Sequence, residues 1–537
     1  MSRTNNPSSF KTITLLSFLF AGTLLYLGVH SDILLGDEIH HIQGAKEIST
    51  ENCRLAYSET VSNWLGKPLK LQYSPGWHTL VSIGFAMTGN APWVPQLVQA
   101  IFYFILLLAV WLATDKLYDR TAAWFAWLIA ATMPVLVVYS ILLYQDVPGL
   151  AMLFVALAFF SRGKFLASGI CLAIAFYIKL NMLPWGGWLA VWAFWYRPNP
   201  SEELTIKKRF FNFSKVALPV IIIFITDMVW RRMTLGNFLA FGVEKRAFLI
   251  PHLNVFFIAF EEAFKKLGCY NSEYVDFYKS PNSFFNIKQS LEHWGFLMLF
   301  GITALFYIKK YRVWTLFGLL ANIAFFAILI RGSNCRYLIP VLAVFVPIMG
   351  AGLAKLYNLP IVQKQKITKL LLVGILVSIG LVQYVAASMY TYNKRKISTL
   401  EKQGYAWAKE NLPKEKYTLF SERSLQYYAG VKTLRSPALF YNNHDYAIFS
   451  NKFLLEMPAE LCYLFFRGYN ISHFASVSRR QYCCKQEGLH DYGWANEVIE
   501  KLSTLPFFEV QYKNDDILFL KFKPSKKWDE KSLKKYK

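Results

Sequence analysis

From Thr12 to Val29 the chain carries no charged residue, and membrane-length apolar runs of this kind recur as far as residue 388. Few folds tolerate such a pattern. A helix rises ~1.5 Å per residue, so ~20 apolar residues cross a ~30 Å hydrocarbon layer. Inside that layer the backbone must satisfy its own hydrogen bonds, which a helix does. Candidate spans fall at 12–30, 93–113, 121–143, 147–160, 163–180, 182–196, 214–231, 293–308, 312–330, 336–356 and 368–388. A 537-residue chain that is 55% hydrophobic and 17% aromatic is too apolar for an ordinary soluble protein. The expectation is a polytopic α-helical membrane protein of about 11 transmembrane helices, followed by a small soluble C-terminal α/β domain.

The formal net charge of +24 does not point to nucleic acid. Its basic residues lie in short connections between apolar runs, where they set orientation. Arg3 and Lys11 precede the first span and no small-residue cleavage site follows it, so it reads as a retained anchor with a cytoplasmic N-terminus. Threading onward places Lys116 and Arg120, Arg162 and Lys164, Lys207 to Arg209, Lys309 to Arg312 and Lys364 to Lys369 on the cytoplasmic side. Residues 31–92, the turn at 144–146, the loop 232–292 and everything after about residue 390 are then outside. Residues 75–89 are apolar but short, and read as lying along the surface. The division expected is a transmembrane part at 1–390, a soluble α/β part at 391–525 and a charged, frayed tail at 526–537. In the soluble part, Glu401 to Pro413 reads as an amphipathic helix. Tyr417–Ser421, Ile471–Val477, Phe507–Tyr512 and Ile517–Phe522 read as strands, the last pair as a hairpin.

Ionisable residues gather where these helices leave the membrane. Asp37, Glu38, His40 and His41 closely follow the first span; on a helix Asp37, His40 and His41 share a face that can hold a proton, a metal or a sugar hydroxyl. The competing reading is a solvated helix start favoured by its dipole. Asp146 opens the fourth span before Pro148, where simple capping explains it equally well. Lys179 ends the fifth span, a place where snorkelling suffices. Arg331 and Arg336 sit in a short outer turn, against the charge bias elsewhere, and an anionic lipid phosphate accounts for them. Glu244 and His252 in the long loop, and His78 in the surface segment, carry no assignable role. Cys53, Cys269, Cys335, Cys462, Cys483 and Cys484 fall outside and Cys171 in a span, with no pairing to be read. Carboxylates beside cations at headgroup depth make a layout for lipid-phosphate chemistry.

That arrangement resembles the GT-C superfamily of membrane glycosyltransferases. The resemblance rests on an acidic pair after the first span, an acid at the start of the fourth, Lys179 at the end of the fifth, and Arg336-Tyr337-Leu338-Ile339-Pro340 opening a late span. The superfamily uses polyprenyl-phosphate sugars, and includes protein O-mannosyltransferases and the aminoarabinose transferase of lipid A. Asp37-Glu38-Ile39-His40-His41-Ile42 is also similar to the Asp-Glu-Ile-Phe-His-Ile run of the dolichyl-phosphate-glucose α-1,2-glucosyltransferases. Tyr405 to Pro413 is similar to the opening of periplasmic domains in bacterial members. The resemblance implies an inverting transfer with Asp37 as general base and Glu38 as the alternative. It implies Asp146 assisting acceptor or metal, and Lys179 and Arg336 holding the donor phosphate; the helix face adds His40 and His41 to the first group and the outer turn adds Arg331 to the second. A divalent metal, Mg2+ or Mn2+, is a candidate cofactor. The implied partners are a lipid-linked sugar donor, a glycan, lipid or protein acceptor, and membrane lipids. A bacterial inner membrane with a periplasmic site is expected ahead of the endoplasmic reticulum. The alternative is a transporter or flippase of a lipid-linked or anionic solute, which would favour internal repeats and interrupted helices at mid-depth. No repeat is visible.

Overall fold

The computed structural model describes residues 7–32, 38–50, 74–198, 205–235, 304, 308–329, 339–420, 424–431, 433–435, 458–468, 470–477 and 501–536. The helical part comprises α1 (Pro7–Val29), α2 (Glu38–Thr50), α3 (Gly76–Thr88), α4 (Val94–Leu117), α5 (Arg120–Thr132), α6 (Pro134–Ile141) and α7 (Asp146–Phe160). It continues with α8 (Phe165–Ile178), α9 (Leu183–Trp195), α10 (Ile206–Leu235), α11 (Arg312–Leu329), α12 (Leu342–Tyr357), α13 (Pro360–Lys364) and α14 (Lys366–Lys394). Among the described residues five helices are long and apolar enough to cross a membrane: most of α1, α10 and α14, all of α4, and α12 with the residues just before it. α5 and α6 are long and apolar enough only when taken together, and they are bent by 52° at their junction. The single span expected at 121–143 is therefore broken: Pro134 has no N–H to continue the α5 ladder, and extended backbone at Met133 lets a new helix start at once. α7 and α8 are apolar but shorter, and the span expected at 293–308 lies almost wholly outside the described residues.

Burial sorts these helices into centre and rim. α7 packs between α4 and α8, and Leu150, Leu153, Phe154 and Leu157 of α7 share one buried core with Tyr103, Leu106 and Val110 of α4. At the rim, Leu15, Phe18 and Leu19 of α1, Ile222 and Ile225 of α10, and Leu370, Leu371 and Val382 of α14 are exposed, which suits side chains solvated by hydrocarbon. Helices in such a setting gain by close approach at small residues. On α12, a Cβ at Gly350 would overlap the Ala122 carbonyl oxygen and stand 2.7 Å from the Ala126 side chain of α5. α3 is 13 residues, ~20 Å long and too short to span. It buries Trp77, His78, Val81 and Phe85 and packs against α2.

The C-terminal part is an α/β unit: α15 (Thr399–Asn411), β1 (Tyr417–Phe420), α16 (Ser424–Ala429), β2 (Thr433–Arg435), α17 (Ala459–Gly468), β3 (Ile471–Val477), β4 (Phe508–Lys513), β5 (Ile517–Phe522) and α18 (Lys526–Tyr536). The sheet order is β2-β1-β3-β5-β4, with β1 parallel to β2 and β3, and β5 antiparallel to β3 and β4. Alternation along β5 feeds two cores: Leu518 and Leu520 pack with Phe466 and Phe474, while Ile517 and Phe519 pack with Tyr405 and Ala408 of α15. Ser398 caps α15 by accepting from the Glu401 N–H at 2.9 Å. The terminal segment, expected to fray, is the helix α18; Trp528 stacks 5.9 Å from the Tyr463 ring and Asp529 pairs with Arg467.

Candidate active site

Connectivity carries the ends of α1, α6, α8, α10 and α14 and the starts of α2, α3 and α7 to one end of the bundle. The polar groups described below come from segments that turn at this end or from helices that start there. The opposite end holds Arg162, Lys310 and an aromatic group of Tyr118, Trp192, Tyr196, Tyr311 and Trp314.

Glu38 opens α2 and is fully buried. Its Oε1 accepts from the Leu143 N–H at 3.0 Å and lies 3.2 Å from Nη2 of Arg395, itself 0% exposed. Nη1 of Arg395 donates to the Ile141 carbonyl at 2.9 Å. A buried carboxylate is tolerable only with such an answer in charge and hydrogen bonds. Nothing in the sequence reading singled out Arg395. It stands inside Lys394-Arg395-Lys396, a basic run of the kind that ordinarily reports orientation alone.

One turn along α2, His41 Nδ1 lies 3.0 Å from His78 Nε2 of α3, one imidazole donating and the other accepting. Burial pushes His78 down to about 4, against the opposing effect of a hydrogen bond to the Ser74 backbone, so this imidazole is neutral at physiological pH. The neighbouring Trp77 donates to Gln99 Oε1 at 3.2 Å, and Gln99 donates to the Tyr139 carbonyl at 2.7 Å and the Tyr144 carbonyl at 3.1 Å. Gln145 donates to the Ser74 carbonyl at 2.6 Å. These bonds tie α3, α4 and the turn before α7 together. α3 can begin so close to the end of α8 because its first residue is Gly76: a Cβ there would stand 2.7 Å from the Tyr177 carbonyl oxygen.

Asp146 lies in the first turn of α7, which Gln145 precedes with no side-chain cap. The capping role therefore does not apply: Asp146 is 1% exposed and its carboxylate pairs with the Lys179 ammonium at the end of α8. Lys179 does not snorkel outward. Beyond it the chain makes a 3-10 turn, Leu180–Met182, before α9. A second ion pair, Asp227 with Arg231 at 2.7 Å, closes the same end of α10 and was not anticipated. Its signal was available as an acid and a base four residues apart inside an otherwise apolar run.

The structure thus brings Glu38, His41, Asp146 and Lys179 to one end, and adds His78, Gln99, Arg231 and Arg395. Asp37, Arg331 and Arg336 lie outside the described residues, as do Glu244 and His252; His40 lies on α2. Among the described residues no three His, Cys, Asp or Glu side chains come together as metal ligands. Cys171 and Cys462 are free and buried.

Residues 72–230 match the family model of dolichyl-phosphate-mannose-protein mannosyltransferase. No curated protein sequence matches the chain. Solved membrane enzymes share its fold. The Archaeoglobus fulgidus oligosaccharyltransferase, tethered to an acceptor peptide containing the NVT sequon, aligns over 88% of this chain and 69% of its own at TM-score 0.60 and 14% identity. ArnT from Cupriavidus metallidurans aligns over 94% of this chain and 97% of its own at TM-score 0.59 and 13% identity. The same protein bound to undecaprenyl phosphate gives TM-score 0.56 at 12% identity, over 97% and 98%.

Proposed function

From a chain that has the GT-C glycosyltransferase fold and matches a mannosyltransferase family model, we propose a transferase that moves a sugar from a polyprenyl-phosphate donor to an acceptor hydroxyl. The reaction takes place at the outer face of the membrane, in a bacterial inner membrane facing the periplasm. The observation that carries this reading is the family match, because residues 72–230 include His78, Gln99, Asp146 and Lys179 of the polar end.

The chemistry is a single inverting displacement. Asp37 takes the proton from the acceptor hydroxyl as that oxygen attacks the anomeric carbon, and the bond to the polyprenyl phosphate breaks. Glu38, adjacent in the chain, is already paired with Arg395 and the Leu143 N–H, which favours Asp37 as the base. Lys179, with Arg331 and Arg336, stabilises the departing phosphate as its charge develops. Asp146 orients that ammonium, and the acceptor binds alongside His41. Joint binding of both substrates at the membrane surface supplies much of the rate.

The test is transfer of radiolabelled sugar from a panel of synthetic polyprenyl-phosphate sugars by purified protein. The wild type should transfer, and Asp37→Asn should lower turnover ~10²–10⁴-fold while staying folded. Full turnover by the folded variant removes Asp37 as base. A silent but folded wild type that flips the same lipids supports the transporter reading, for which the break at Met133 is the favouring observation. The residues at that break, Thr132, Met133 and Pro134, carry no ionisable group to couple to a solute.

A further inference from the structure

At the end of the bundle away from Asp146 and Lys179, cations and tyrosines gather where four helices stop or start. Tyr118 follows α4, Arg162 follows α7, Tyr196 follows α9, and Lys310 and Tyr311 precede α11. The Lys310 ammonium bonds the Leu117 carbonyl and lies 5.0 Å from the Tyr311 ring and 5.8 Å from the Tyr118 ring. The Tyr311 ring stands 6.1 Å from that of Tyr118 and 6.2 Å from that of Tyr196, whose hydroxyl donates to the Ser161 carbonyl at 3.0 Å. Arg162, half-buried, lies beside Tyr196. The tyrosines therefore run from one cation to the other.

Negative charge is scarce here. Among the described residues the acids at this end are Asp115 and Asp119. Asp119 caps α5, accepting from the Ala122 N–H at 2.8 Å, and Asp115, the acid nearest Arg162, also faces Arg120 at 3.9 Å. Arg162 donates to the Ala158 carbonyl at 2.8 Å and forms no ion pair among the described residues. A base that only sets orientation can extend into water, whereas a half-buried guanidinium without a carboxylate favours an anion from outside the chain. The surface alongside is apolar: Trp195, Phe210 and Val313, at the end of α9 and the starts of α10 and α11, are exposed, and Trp195 packs 5.7 Å from Trp314. Aromatic side chains suit the depth of lipid headgroups, and basic pockets between membrane helices suit anionic ones. We propose that this end binds an anionic phospholipid, its phosphate between Arg162 and Lys310 beside the tyrosines and its acyl chains along the exposed apolar side chains. The site stands apart from the glycosyl-transfer reading and does not depend on it.

The test adds phosphatidylglycerol or phosphatidylcholine to delipidated full-length protein in detergent and counts bound lipid by native mass spectrometry. The wild type should hold phosphatidylglycerol in preference, and millimolar inorganic phosphate should not displace it. Arg162→Gln and Lys310→Gln should each weaken the tightest phosphatidylglycerol binding about fivefold, the effect of one basic residue beside an anionic headgroup. Arg162→Lys keeps the charge and should retain most of the binding, which separates loss of the cation from damage to the fold. Lys513→Gln, on strand β4 of the C-terminal unit, is the control and should bind like wild type. Equal binding of the two lipids by the wild type overturns the proposal. So does wild-type phosphatidylglycerol binding by both glutamine variants, or an equal loss in Lys513→Gln. Displacement of the lipid by inorganic phosphate would show a site for a free anion and overturns it as well.

Discussion

Asp146 can be 1% exposed because Lys179 answers its charge across the gap between the start of α7 and the end of α8. Removing one partner leaves the other buried and unpaired, which typically costs ~3–5 kcal/mol, while removing both is far milder. Lys179→Met should therefore lower the melting temperature of the purified protein clearly, and Asp146→Asn/Lys179→Met should melt close to wild type. A single variant that melts like wild type would show that the pair contributes no stability. Turnover separates the two effects: the double variant lacks the cation proposed to face the donor phosphate, so it should remain slow although stable. Each of these charges was visible in the sequence as an ionisable residue at the edge of an apolar run. Their pairing was not, since helical spacing relates only residues three or four apart, and these two lie on different helices. Arg395 was hidden more deeply, because nothing local distinguishes a buried guanidinium from its solvated neighbours Lys394 and Lys396.

Among the elements, the α5 and α12 contact depends closely on a single residue. Gly350 lets α12 meet the backbone of α5, and no flexible side-chain tip stands there to move aside. Gly350→Leu should destabilise by ~1–3 kcal/mol or more through overpacking, read as a lower melting temperature in detergent. Gly374→Leu on α14, where a Cβ would meet nothing within 4 Å, is the control and should melt like wild type. Equal melting of both variants would remove the close approach as a stabilising feature. Elements with strong local signals were legible: β3 and β5 run over Ile471–Val477 and Ile517–Phe522 as their alternating and β-branched residues imply. The break between α5 and α6 depends on one proline within a run whose hydropathy alone reads as continuous. α18 is charged enough to look unstructured, yet Trp528 gives it an apolar face that packs on the rings of Tyr463 and Phe507. A tertiary partner decides such a segment, not its composition.

On the scale of the whole molecule, the charge distribution and the helix directions make one joint statement. Lys207 and Lys208 begin α10 at the end shared with Arg162 and Lys310, whereas Asp146, Lys179 and the stretch entering the C-terminal unit lie at the other end. Basic residues left in short connections ordinarily mark the cytoplasmic side, and the prediction from that bias is that the polar end, with the C-terminal unit, faces outward. Exposed positions on each side can be read directly: Lys208 precedes the apolar part of α10, and Lys414 lies in the C-terminal unit. With the protein expressed in a bacterial inner membrane, Lys414→Cys should react in spheroplasts with a membrane-impermeant maleimide. Lys208→Cys should react only after permeabilisation, with labelled peptides identified by mass to set aside the native cysteines. Labelling of both positions from one side would break the alternation of helices on which the assembly of the polar end depends. Labelling on opposite sides but in the reverse sense would keep that assembly and move the chemistry to the cytoplasmic face, where the donor sugar would have to be presented before any flipping of the lipid.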